Sequence, residues 1–160
     1  MDTIFSDETL KKFGSDLLAI YRTTDGRYED LDFDVKQGVV RGVVERDLAR
    51  ASGVQNVIQA IIHHIKTCYG ELAPLGHPDY GSRHHELIGE PNTEHNRRLV
   101  KLYILQALAR EPRIEKILRA DIRYDRRLDP GRVDIVLGLK LGFVDQTINL
   151  VVPFYFEASS

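Results

Sequence analysis

The chain is poor in the residues that carry most recognisable chemistry. It has a single cysteine, Cys68, so no internal disulfide can form and a reducing compartment is the simpler assumption. Neither sign of charge dominates. Lys and Arg number 22 against 24 Asp and Glu, a formal net charge of −2, which offers no electrostatic basis for binding nucleic acid or an anionic membrane. No apolar run approaches the roughly 20 residues of a membrane helix. Residues Met1 to Glu8 carry acid where a secretory signal carries base, and no apolar stretch follows. Synthesis in the cytoplasm is expected, with neither nucleic acid nor a membrane as partner.

Catalytic signatures are equally scarce. The histidines include two adjacent pairs, His63-His64 and His84-His85. Adjacent residues on a helix point about 100° apart, so neither pair chelates well alone. No acid stands at a zinc spacing such as His-Glu-x-x-His, and packing or solvated histidines are expected in place of a metal or cofactor site. Cys68 falls at the end of a predicted helix, the wrong end to stabilise a thiolate. Ser82 sits in a Tyr-Gly-Ser turn and not in a Gly-x-Ser-x-Gly elbow. Glycoside cleavage needs two carboxylates in different environments across one cleft. Glu86, Glu90, Glu94 and Glu111 are available, but none has a matched partner in the sequence. The catalytic set is therefore empty and the chain reads as a non-enzyme.

A hydrophobic content of 42% with 29% charged residues fits a folded globular protein, and the length suits one domain with its own core. Residues 1 to 30 are weakly patterned. Phe13, Leu17, Leu18, Ile20 and Tyr21 allow a short helix or an extended arm, and Thr24-Asp25-Gly26 reads as a turn. Leu31, Phe33 and Val35 alternate with acids as a half-buried strand does; Gly38 breaks it, and Val39 to Val44 return as a second arm. Ser52 and Gln55 form a capping-box pattern ahead of a helical stripe of Val54, Val57, Ile58, Ile61 and Ile65. A turn-rich segment runs from Gly70 to Gly81, with a short helical turn through Glu86-Leu87-Ile88. Asn92 or Thr93 then caps a second helix, whose inner face is Val100, Tyr103, Ile104, Ala107 and Leu108, and Pro112 stops it.

Beyond Pro112 the apolar period becomes two. Leu118, Ala120, Ile122 and Tyr124 mark one strand, and Asp129-Pro130-Gly131 marks a turn. Val133 to Phe143, on odd numbers, make the next strand, and Ile148, Leu150, Val152, Phe154 and Phe156 make the last. The expected class is α+β, with helices packed on a three-to-five-stranded, mainly antiparallel sheet.

Two short motifs stand out. In Leu75-Gly76-His77-Pro78-Asp79-Tyr80-Gly81-Ser82, a tight turn needs Gly81 for a positive φ and uses Tyr80 as an anchor. In Glu111-Pro112-Arg113, opposite charges flank a helix-stopping proline; the residues alone allow either solvated charges or a docking point. The pair, joined by one helix, resembles the baseplate wedge family of contractile tails, the protein W or lysozyme-related group of phages, tailocins and type VI secretion systems. The resemblance runs from about Leu31 to Phe156, with residues 1–30 an arm or extension and 31–160 a single wedge domain.

The resemblance implies a structural subunit, made in the bacterial cytoplasm and built into the tail baseplate of a virion or injection particle. It gives Glu111, Pro112 and Arg113 a role in docking to the wedge's core bundle, and makes Pro78, Tyr80 and Gly81 a structural turn. It also implies that a sheet edge templates the first sheath ring. The last strand suits that edge, because Pro153 cannot donate to a ladder. Asn149, Val151 and Pro153 are its outward positions. The implied partners are other wedge proteins, the tail sheath protein and, at the outer limit, the central hub or spike. His77 departs from the arginine that family members commonly carry nearby. The alternatives are a lysozyme-like peptidoglycan hydrolase and a small regulatory binder of the same fold.

Overall fold

A computed structural model describes residues 15–17, 20–22, 28–30, 35–40, 43–48, 50–142 and 147–157, with side chains from Gly53 onward. The chain divides into two compact units, Met1–Ala60 and Ile61–Ser160. The first contains short antiparallel pairs. β1 (Ser15–Leu17) pairs with β6 (Arg50–Ser52), β2 (Ile20–Arg22) with β3 (Tyr28–Asp30), and β4 (Val35–Val40) with β5 (Val43–Leu48). Leu17, Ile20 and Tyr21 are thus extended and not helical. Gly38 does not break its strand: it lies inside β4 opposite Glu45, and the hairpin reverses after Val40. Phe13, Leu18, Leu31, Phe33 and the Thr24–Gly26 turn lie outside the described residues.

Helix α1 (Val54–Lys66) follows. It starts later than the Ser52 pattern predicts, because Ser52 ends β6 and Gly53, at φ 58°, supplies the carbonyl that accepts from the Val57 amide at 3.3 Å. Its later turns give the second unit Ile61, Ile62 and Ile65, all with no exposed surface. Two 3₁₀ turns, Ala73–Leu75 and Arg83–Leu87, lead to α2 (Glu94–Leu108). Thr93 Oγ1 caps α2 by accepting from the Asn96 amide at 3.2 Å, and Val100, Ile104, Ala107 and Leu108 are buried along one stripe.

The remaining strands, β7 (Ile114–Arg123), β8 (Arg132–Leu141) and β9 (Thr147–Tyr155), form an antiparallel meander in that order. Val133, Ile135, Leu137, Leu139 and Leu141 of β8 and Ile148, Leu150, Val152 and Phe154 of β9 are all buried, as is Phe156 just beyond. Phe143 lies outside the described residues. In β7 the expected alternation holds at Ala120 and Ile122, which are half-buried opposite Leu137 and Ile135, but fails at Leu118. The strand's register slips between Ile114 and Lys116 and again between Ile117 and Arg119. Leu118 has no opposite number on β8, and it is 50% exposed. Each bulge adds a residue to one strand and turns the next side chains over, which period counting cannot register. The second unit is thus α+β, with helices beside a three-stranded antiparallel sheet.

Candidate functional site

The two motifs, thirty residues apart in sequence, meet in space. The Gly70–Ser82 segment folds back on the end of α1. Ser82 donates its amide to the Thr67 carbonyl at 2.9 Å, Tyr69 to Ser82 at 3.2 Å, and Gly70 to Tyr80 at 3.0 Å. Gly81 is buried at φ 97°, and a Cβ there would stand 2.5 Å from the Cys68 carbonyl oxygen. Those neighbours are backbone and cannot swing aside, so conformation and space both require glycine. The turn is pinned from outside as well. Tyr69 donates its hydroxyl to Asp79 Oδ1 at 2.9 Å, and Arg110 donates Nη1 to the Asp79 carbonyl at 3.1 Å with its guanidinium 5.2 Å from the Tyr69 ring.

Glu111 is buried (7% exposed), so its charge is not solvated. Arg113 grips it in a fork: Nε donates to Oε1 at 2.5 Å and Nη2 to Oε2 at 2.9 Å, while the Arg113 amide also donates to Oε1 at 3.3 Å. Burial pushes the Glu111 carboxyl upward, but the hydrogen bonds and charge of Arg113 outweigh it and hold the group below the ordinary carboxylate range. Pro112 is exposed, and the Arg113 side chain keeps 30% of its surface. The triplet is thus an internal ion pair with an accessible outer side.

His64 joins the motifs. Its ring stacks on Tyr80 at 4.3 Å and 24°. Burial depresses its basicity and outweighs the rest; Glu111 and a hydrogen bond to the Gly81 backbone raise it, while Arg110 and Arg113 lower it. Its Nε2 is enclosed and has no hydrogen-bond partner among the described residues. Tyr80 is held above the ordinary phenol range by burial and by the Glu111 charge. The other buried histidine, His84, accepts or donates at Nδ1 to Ser82 Oγ over 2.8 Å and meets the Phe154 ring edge-on at 4.9 Å. Burial, with the neighbouring His85, lowers its pKa to about 3. Ser82 and His84 resemble a nucleophile and its base only in name: they are 1% and 2% exposed, out of reach of a substrate.

Pro78, Tyr80 and Gly81 therefore sit with Glu111, Pro112 and Arg113 at one end of the unit. Asn149, Val151 and Pro153 lie elsewhere, opposite Gly138, Val136 and Asp134 of β8. Asn149 is exposed and the other two partly so. β9 is an outer strand, as Pro153 predicts, and β7 is the other margin. The acidic side chains divide. Glu86 pairs with Arg83 and Glu94 with Arg98, but Glu90 and Glu157, both exposed, share the wall of a cavity of about 270 Å³ with Asn92 and Pro130. Sequence reading missed that pairing, because 67 residues separate the two acids and only β9 returning beside the Gly89 turn brings them together; the Gly89 amide donates to the Phe156 carbonyl at 2.6 Å. His64 was equally hidden, read only as half of an adjacent histidine pair, with no hint of the motif it would meet. Among the described residues no group of His, Cys, Asp and Glu could hold a metal ion, and no helix is long and apolar enough to cross a membrane.

The second unit is an α+β domain whose two signatures close on one another around a buried ion pair. No protein-family model matches the chain, and no curated protein matches it. Among solved structures it is similar to a Geobacter sulfurreducens protein provisionally named a tail lysozyme, with 23% identity over 67% of this chain and 94% of that one and a TM-score of 0.57. The two share a fold.

Proposed function

We propose that the chain is a structural subunit of a contractile tail or related injection particle, a baseplate wedge component and not an enzyme. The observation that carries this reading is the fastening of the two signatures to each other, on a fold shared with a protein whose name refers to a tail. In this reading Pro112 and the open side of Arg113 face the wedge core bundle, with Glu111 holding the guanidinium in place. An outer strand of the meander, β9 with Asn149, Val151 and Pro153, accepts an arm of the sheath protein by strand addition. The central hub or spike completes the set of partners. Assembly takes place after synthesis in the bacterial cytoplasm.

Co-production with the wedge-core and sheath proteins of a contractile tail from the same genome tests this reading. Co-purification of the chain with both is expected, with sheath capture weakened by Asn149→Pro. A chain that stays apart from both contradicts the wedge role and leaves a small regulatory binder of the same fold as the better account.

A peptidoglycan hydrolase is the second reading, favoured by the neighbour's provisional name and by the Glu90–Glu157 cavity. Against it, both acids are exposed, whereas a general acid needs an environment that keeps it protonated. Turnover of cell-wall fragments by purified protein, abolished by Glu90→Gln or Glu157→Gln, would overturn the structural reading.

A further inference from the structure

A cavity of about 330 Å³ opens where the two motifs meet, with His64, His77, Asp79, Tyr80 and Arg110 among its walls. The most buried of these is His64, 5% exposed, whose Nε2 is enclosed and has no partner among the described residues. The bond to the Gly81 backbone is therefore made at Nδ1. Because that bond raises the basicity of the ring, Nδ1–H donates in it and the Gly81 carbonyl accepts. Burial keeps the imidazole neutral, with its single proton on Nδ1 and a lone pair on Nε2. An enclosed acceptor without a donor costs stability, and this one stands at the wall of a cavity large enough to bring a donor to it.

The charged walls decide what carries that donor. Asp79 accepts the Tyr69 hydroxyl at Oδ1 and keeps its negative charge, and its Oδ2 has no partner among the described residues. Arg110 donates Nη1 to the Asp79 carbonyl at 3.1 Å and makes no ion pair among the described residues, so it has N–H groups to spare. The two charges balance. A carboxylate entering here meets Asp79 and a lone pair, and an ammonium meets Arg110, so each is opposed. A neutral group is not. It finds two acceptors, His64 Nε2 and the Asp79 carboxylate, and one strong donor. A hydroxyl has a single proton to give. A primary carboxamide has two N–H donors and a carbonyl, the complement of that set.

We propose that this cavity binds a primary carboxamide, its N–H groups donating to His64 Nε2 and Asp79 and its carbonyl accepting from Arg110. Resting on the wedge reading for its source, the carboxamide ends a glutamine side chain of an assembly partner. Glutamine is the longer of the two side chains that carry the group, and the acceptor it must reach is on the most buried wall.

The pocket can be tested without any assembly. Peptides blocked at both ends and carrying glutamine, glutamate or alanine on the same backbone serve as probes, with propionamide as the free amide. Nitrogen-15 nuclear magnetic resonance of the full chain reads the His64 ring, where a bare and a protonated Nε2 resonate far apart. The glutamine peptide is expected to shift the Nε2 signal without protonating it, and the glutamate and alanine peptides to leave it in place. In variants the peptide's own amide signals follow binding. The affinity of the glutamine peptide is expected to fall about tenfold or more in Arg110→Met and about fivefold in His64→Phe. Asp79→Asn removes the negative wall and keeps an acceptor for Tyr69, so the glutamate peptide is expected to bind that variant. A purely structural histidine would give none of these responses. Equal binding of the alanine peptide, binding of the glutamate peptide to the unaltered chain, or a proton on Nε2 in the free protein would overturn the proposal. So would silence of every probe, which would leave water as the only occupant. Binding of propionamide without the glutamine peptide would keep the pocket and overturn the side-chain source. Failure of co-purification with wedge proteins while the glutamine peptide binds would leave the pocket standing and remove its assigned partner.

Discussion

The meander and the motif junction each enclose buried side chains, and they are built on opposite principles. Strands β8 and β9 are packed by Val, Ile, Leu and Phe with alternate residues facing in. The junction is packed by His64, Tyr80, Glu111 and Arg113, joined by ring stacking and charge-assisted hydrogen bonds. An apolar layer is non-directional and tolerates repacking. A polar cluster fixes its members in one arrangement and fails badly when one is removed. The sheet therefore supplies stability, and the junction supplies a shaped surface.

The first way to break the comparison is on the apolar side. Leu137 has no exposed surface and lies on the central strand. Leu137→Ala is expected to cost about 3–4 kcal/mol in chemical denaturation; a cost under about 1 kcal/mol would mean that the sheet is not the main store of stability. The second strikes the turn. Gly81→Ala forces a Cβ into the Cys68 carbonyl at φ 97°, and a loss of roughly 2–3 kcal/mol is expected. Gly76, at φ 86° with open space around its Cβ position, is the control: alanine there meets strain alone and costs about 1–2 kcal/mol.

A pH series adds a measure of the buried polar groups, which are His64 and Glu111 in the junction and His84 against Phe154 of β9. Unfolded His84 takes up its proton near 6.5, while the folded residue stays neutral down to about 3. The unfolded state binds the proton first, so this contribution is complete above pH 6.5 and is lost as pH falls toward 3, at about 1.4 kcal/mol per pH unit for each proton. His64, also depressed by burial, adds in the same direction. Glu111, depressed from 4.5, contributes above its unfolded value and its share is lost at lower pH. His84→Asn is expected to flatten the upper limb by one proton; an unchanged slope would mean that His84 ionises freely in the folded state. The smallest effect belongs to the bulge. Leu118→Lys, at a half-exposed position outside the ladder, is expected to change stability by less than about 0.5 kcal/mol.

Legibility in the sequence followed the same division. Period two in β8 and β9 and period 3.6 in α2 are direct consequences of burial on one face, and they identified Leu137, Leu150, Ile104 and Leu108 correctly. The cap at Thr93 and the outer position of β9 followed from local chemistry. What failed was non-periodic. The bulges that expose Leu118, the unbroken strand through Gly38 and the delayed start of α1 after Gly53 each depend on pairing with a distant segment. The motifs were visible as motifs, but not their contact. Glu111 and Arg113 read as two charges beside a proline, and nothing in the residues showed that the carboxylate would be buried within electrostatic reach of Tyr80 and His64. The pair itself is local, two residues apart, but its burial is set by tertiary placement, which a sequence does not report.

The central claim is that the Glu111–Pro112–Arg113 triplet is first an internal fastening and only then a surface. A double-mutant cycle on the isolated chain, with Glu111→Gln, Arg113→Gln and both together, measures that claim by denaturation. Removing either partner strands the other in a poorly hydrated site, so each single change is expected to cost about 2–3 kcal/mol, discounted for the partial exposure of Arg113. The double change is expected to cost less than the sum by about 2 kcal/mol. Near-neutral, additive single changes would contradict the account and return both charges to solvent.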